Sequence, residues 1–66
     1  MQVTVNGETQ ELPEGLDLHG LLRTLNLPLE AVAVALNMEV VPRGALASTT
    51  LRPGDRVEVV RAVGGG

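Results

Sequence analysis

Residues 1–25 read MQVTVNGETQELPEGLDLHGLLRTL, and the change of period within them decides the fold. From Met1 to Asn6 the pattern alternates: Met1, Val3 and Val5 fall on one side, Gln2, Thr4 and Asn6 on the other, as in a half-buried strand. Asn6-Gly7 follows, a pair suited to a two-residue hairpin turn because both positions tolerate positive φ. Glu8 to Leu12 returns as a second strand, polar enough to lie at a sheet edge, and Pro13-Glu14-Gly15 breaks it. The period then becomes helical. Leu18, Leu21, Leu22 and Leu25 form one stripe, with Asp17 as the N-cap and Asn26 and Pro28 as terminators. Gly20 inside that stripe costs about 1 kcal/mol relative to Ala, so packing must stabilise this helix.

Beyond the helix the strand period resumes. Ala31 to Leu36 alternates Ala with Val32, Val34 and Leu36, a third strand with the larger residues toward the core. Asn37-Met38-Glu39 turns into a short fourth strand, Val40-Val41, which Pro42 stops. Residues 43–51 read as a compact connection with a helical turn at Ala45 to Ala47, and Pro53-Gly54 fits the centre of a type II turn. Arg56 to Val63 is the last strand, with Val57 and Val59 on one side. The expected class is α+β: a mixed sheet of four to five strands packed on one main helix, in the element order of the β-grasp (ubiquitin-like) fold. Residues 1–63 form the domain and residues 64–66 a flexible glycine tail. Periodicity leaves open which strands are neighbours.

Composition narrows the functional classes. A chain of 66 residues accommodates one domain, and a domain this small buries only about 60% of the surface its unfolded chain exposes. The apolar stock is almost entirely Leu, Val and Ala with no Phe, Trp or Tyr, so there is no platform on which bases could stack. The five basic residues are all Arg, against eight Asp and Glu, for a net charge of −3. Such a balance repels phosphate backbones, and nucleic acid is not an expected partner. Cysteine is absent, which excludes disulfides, thiolate metal sites and a persulfide on this chain. No stretch has signal-peptide form or membrane-spanning length, so the expectation is a cytoplasmic monomer with no membrane partner.

Internal chemistry is sparse. His19 is the sole histidine, with no metal-ligand spacing around it, and no metal site is expected. Ser48, Thr49 and Thr50 have no base beside them, and no glycine loop opens a helix to cradle phosphate. The chain is therefore not expected to be an enzyme. Its closing residues, Val63-Gly64-Gly65-Gly66, are the exception. An arm without side chains can enter a narrow channel and present its carboxylate to another protein's active site. A carboxylate is a weak nucleophile and a poor acyl donor until ATP converts it to an acyl adenylate. Attack by sulfur then gives a thiocarboxylate; attack by an amine gives an amide. Either route needs an external ATP-binding catalyst, and a frayed, idle end is the plain alternative.

Several segments together resemble the ThiS family of sulfur carriers of thiamine biosynthesis, within the ubiquitin-like superfamily. They are Asn6-Gly7, Leu18-His19-Gly20-Leu21-Leu22, Ala35-Leu36-Asn37, Val40-Val41-Pro42-Arg43, Gly54-Asp55-Arg56-Val57-Glu58 and Val63-Gly64-Gly65-Gly66. The resemblance implies that an adenylyltransferase of the ubiquitin-activating type, using Mg-ATP and a sulfur donor, converts the Gly66 carboxylate to a thiocarboxylate. It implies that thiazole synthase then takes the sulfur, and that this chain itself binds no cofactor. Leu46 and Val60 stand where some members carry aromatic side chains.

Alternation in the third and last strands also places Ala33, Ala35, Val60 and Ala62 on the sheet face away from the helix. With Val63, Gly64, Gly65 and Gly66 they form the expected partner-binding set. Other sulfur carriers, for molybdopterin or for tRNA thiolation, share the same tail chemistry. So does a ubiquitin-like protein modifier.

Overall fold

The computed structural model describes residues 1–61; Ala62, Val63, Gly64, Gly65 and Gly66 lie outside the described residues. Five strands form one mixed sheet: β1 (Gln2–Val5), β2 (Glu8–Glu11), β3 (Val32–Leu36), β4 (Glu39–Val41) and β5 (Arg56–Arg61). One α-helix, α1 (Leu18–Thr24), covers the sheet, and two short 3-10 turns span Leu29–Ala31 and Arg43–Ala45. No helix among the described residues is long and apolar enough to cross a membrane.

The strand order is β2-β1-β5-β3-β4. Hairpins make the outer pairs antiparallel, β1 with β2 and β3 with β4, and β5 enters between them, parallel to β1 and antiparallel to β3. This is the expected β-grasp arrangement with five strands. The parallel pairing of the first and last strands was beyond the reach of periodicity. β2 is the polar edge, and its partner register, Val5 opposite Glu8, leaves a two-residue loop. Asn6 and Gly7 occupy that loop at φ 50 and 83, as a type I′ turn requires.

The core lies between the sheet and α1. Val3, Val5, Val34 and Val57 from the sheet meet Leu18, Leu21 and Leu22 from the helix, all buried. Leu12, Leu46 and Leu51 close it from the connections. Leu46 is thus a packing residue, which separates it from Val60, exposed on the far side of the sheet.

The short helix is held at both ends. The N–H groups of its first turn, which no helical carbonyl can reach, all find acceptors. Leu18 donates to the Thr49 carbonyl (3.0 Å), His19 to the Leu46 carbonyl (3.3 Å), and Gly20 to Asp17 Oδ1 (2.7 Å). Asp17→Ala should therefore cost about 1 kcal/mol. In a domain of this size that lowers Tm by roughly 4–8 °C, readable by thermal circular dichroism. At the other end Asn26, at φ 58, donates to the Arg23 carbonyl (3.1 Å), and Leu27 to the Leu22 carbonyl (2.9 Å). That double closure is a Schellman cap with Asn in the left-handed position. Gly20 has a local reason: a Cβ there would sit 2.7 Å from Leu16 Cδ1 and 3.3 Å from Asp17 Oδ1.

Two boundaries differ from the sequence expectation. Ala31 ends a 3-10 turn rather than opening β3, because the Ala31 N–H closes onto the Pro28 carbonyl (3.1 Å). The helical turn expected at Ala45 to Ala47 begins earlier, at Arg43, where Pro42 in extended backbone precedes it. Arg43 Nη2 also donates to the Glu30 carbonyl (2.9 Å), tying these two turns together. At residues 52–55 the Asp55 N–H reaches the Arg52 carbonyl (3.1 Å) across Gly54 at φ 86, the expected turn.

Candidate functional site: an apolar sheet face beside the C-terminal strand

The outer face of the sheet is built by register. Ala33 stands opposite Val60, and Ala35 lies between Val40 on β4 and Glu58 on β5. Residues directly opposite one another share a face, so the alternation that buries Val34, Val57 and Val59 toward α1 turns this second set outward. Ala33, Ala35, Met38, Val40, Glu58 and Val60 line one shallow concavity, apolar apart from the Glu58 carboxylate. Met38, Val40 and Val60 are 85%, 79% and 64% exposed. Scattered surface apolar residues need no explanation; three large ones converging on one concavity form a patch.

Of the expected partner-binding residues, the structure brings together Ala33, Ala35 and Val60. Ala62, Val63, Gly64, Gly65 and Gly66 fall outside the described residues. Sequence reasoning missed Met38 and Val40. Val40 stands next to Val41, and a pair of adjacent valines carries no alternation to say which faces out; the Ala35–Val40 register decides it. Met38 occupies the second position of the β3–β4 turn, between Leu36 and Glu39, at φ 71 after Asn37 at φ 50. Two positive φ values in succession are again the type I′ pattern, which favours Gly or Asn and makes a long side chain there unusual. The turn projects the Met38 side chain at the rim of the patch.

Asn37 anchors that turn. Its N–H donates to the Arg56 carbonyl (2.8 Å), its Oδ1 accepts the Arg56 N–H (3.0 Å), and its Nδ2 donates to Asp55 Oδ1 (3.1 Å). Asp55 Oδ2 in turn accepts the Arg52 N–H (2.8 Å). These contacts explain the Asn37 and Gly54-Asp55-Arg56 segments singled out in the sequence: they join the β3–β4 turn to the start of β5. Among the described residues no group of three or more His, Cys, Asp or Glu side chains could hold a metal ion. His19 spends its backbone N–H on the helix start and has no second histidine to work with.

The chain is similar over its whole length to the crystal structure of a thiamine biosynthesis protein (ThiS) from Geobacter metallireducens, with a TM-score of 0.87, 40% identity and complete coverage of both chains. It is 29% identical over 66 residues to the sulfur carrier protein ThiS of Escherichia coli, again covering both chains completely. A thiazole synthase from Magnetococcus marinus is 41% identical over the same 66 residues, and this chain spans 20% of that protein's length. A second thiazole synthase, from Paramagnetospirillum magneticum, is 33% identical, with the same 20% share. The ThiS family model matches residues 3–66, so sheet order, outward apolar face and closing glycines all fall within the matched region, and the chain belongs to the ThiS family.

Proposed function

We propose that this chain is a sulfur carrier for thiamine biosynthesis, with the Gly66 carboxylate as its working group. The observation that carries the reading is the family match through Gly66, joined to the presence of the apolar face on the strand that leads toward it. The relatives named thiazole synthase and sulfur carrier protein support the same pathway.

The chemistry begins outside this chain. On an adenylyltransferase of the ubiquitin-activating type, a Gly66 carboxylate oxygen attacks the α-phosphorus of Mg-ATP and pyrophosphate leaves. The resulting acyl adenylate is attacked at its carbonyl carbon by sulfur at the oxidation level of sulfide. AMP departs with the former carboxylate oxygen, and a thiocarboxylate remains on Gly66. Its sulfur is then a soft nucleophile for thiazole synthase. The chain has neither cysteine nor lysine, so it can neither hold the incoming sulfur as a persulfide nor form a lysine amide with its own activated terminus.

The face formed by Ala33, Ala35, Met38, Val40 and Val60 is the proposed docking surface for the adenylyltransferase, together with Ala62, Val63, Gly64 and Gly65 as the arm. Val60→Asp tests it. Because Val60 is exposed, the substitution should leave Tm within a few degrees of the parent. A buried carboxylate at the centre of an apolar contact should weaken docking at least about tenfold, measured by titration calorimetry against the adenylyltransferase. Undiminished binding would remove the face from the proposal. Which acceptor discharges the thiocarboxylate is read by offering the loaded chain to thiazole synthase: transfer to that enzyme is expected, and transfer only to a molybdopterin or tRNA-thiolation enzyme would redirect the assignment.

A further inference from the structure

We propose that Asn6 is a positioning residue for the carrier reaction, its side chain fixing the course of the strand that runs toward Gly66. The proposal rests on the carrier reading above. Among the described residues β1 and β5 pair in parallel at two positions, Thr4 with Arg56 and Val5 with Val57. At Asn6 the backbone enters the left-handed region, φ 50, and turns away into the β1–β2 hairpin. Its last backbone contact with β5 is the Asn6 N–H to the Val57 carbonyl (2.9 Å). β5 continues to Arg61, paired with β3 along that whole length, from Val57 with Leu36 to Arg61 with Val32.

On the β1 side the next groups of β5 in need of partners are the N–H and C=O of Val59. The Asn6 carboxamide takes both: Oδ1 accepts the Val59 N–H (2.8 Å) and Nδ2 donates to the Val59 carbonyl (3.3 Å). A carboxamide carries the same donor and acceptor as a peptide group, so the side chain adds one rung to the parallel ladder after the backbone has left. Asn37 bonds the Arg56 N–H and C=O at the start of the same strand from the opposite side. The first asparagine of each type I′ turn therefore grips β5, one at its beginning and one next to Val60. Held on both sides at Val59, β5 keeps one course as far as Arg61. Released on one side, it samples several, and only a fraction of molecules hold the docking face at Val60 in the arrangement the adenylyltransferase binds. Apparent affinity falls by that fraction, while the chemistry at Gly66, made of the same atoms, keeps its rate.

Asn6→Gly isolates the side chain, because glycine accepts the positive φ of the turn without strain. Its effect is compared with that of Asn6→Asp, which tolerates the same φ and keeps the acceptor for the Val59 N–H. Amide exchange by NMR and steady-state loading with Mg-ATP, sulfide and the adenylyltransferase are measured well below Tm, with wild type loaded first. In Asn6→Gly the Val59 amide should exchange about tenfold faster or more. The KM for the chain should rise about 3–10-fold, with kcat unchanged and Asn6→Asp intermediate. A purely structural role would leave KM at the wild-type value once every molecule is folded. Unchanged Val59 exchange, or faster exchange with unchanged KM, overturns the proposal. A wild-type chain that acquires no sulfur fails earlier, at the carrier reading, and takes the positioning role with it.

Discussion

Deleting Gly65 and Gly66 should abolish sulfur loading while leaving the domain folded, with Tm within about 2 °C of the full chain, a shift worth well under 1 kcal/mol at this size. The separation follows from where the two properties reside. Among the described residues every buried core residue lies between Val3 and Val57, and every strand-to-strand pairing ends by Arg61. The reactive group, by contrast, is the α-carboxylate of Gly66. A truncated chain still ends in a carboxylate, now on Gly64, set back by two residues or roughly 7 Å of extended chain. Displacements of about 1 Å at a reacting centre already cost on the order of a hundredfold, so the shortened arm should load at background level. The measurement is intact-mass analysis of the truncated and full chains after the same incubation. Loading of the truncated chain at the full rate would mean that the position of the carboxylate does not matter.

The second large effect is on stability. Leu21→Ala should remove a large share of the domain's stability. Leu21 is fully buried at the centre of the helix face, together with Leu18 and Leu22. Truncating such a side chain costs about 2–5 kcal/mol, the lost transfer energy plus the cavity left behind. A domain of this length has roughly 3–10 kcal/mol in total. No aromatic side chain is present to collapse into the space, which puts the cost toward the upper end. Leu21→Met keeps the volume and should cost less than about 1.5 kcal/mol. Urea unfolding of the three chains measures both; a midpoint for Leu21→Ala close to that of the parent would contradict this description of the core.

The fold was legible where a period was long enough to be read. Val3 and Val5, and Leu18, Leu21 and Leu22, each stated their own geometry, and Asp17, Asn26 and the Asn6-Gly7 pair marked their ends. What remained hidden was set by contacts between distant segments. The parallel placement of β5 against β1 is held by the Thr4 N–H to the Asp55 carbonyl (2.9 Å) and the Asn6 N–H to the Val57 carbonyl, pairings that leave no local trace. Leu12, Leu46 and Leu51 belong to the core, yet each stands in a connection where no period identifies it.

The candidate site divides in the same way. Ala33 and Ala35 followed from alternation, each standing between core-facing residues of β3, and Val60 followed from Val57 and Val59 before it, although the exposed Arg61 after it breaks the pattern. Met38 and Val40 did not. Their faces depend on the β3–β4 register and on a turn that places methionine at positive φ. The side-chain bonds of Asn6 to Val59 join residues 53 positions apart, a relation visible only once the sheet is assembled. The closing glycines could be read from the sequence either as a carboxylate arm or as an idle end, and it is the resemblance to the ThiS family that implies the partners proposed to act on them.

The carrier claim meets its most direct test in the intact mass of this chain after incubation with the adenylyltransferase, Mg-ATP and a sulfur donor. Exchange of one oxygen for one sulfur, located on Gly66 by fragmentation, is the predicted result. An unchanged mass, under conditions where the same enzyme loads another carrier, would contradict it.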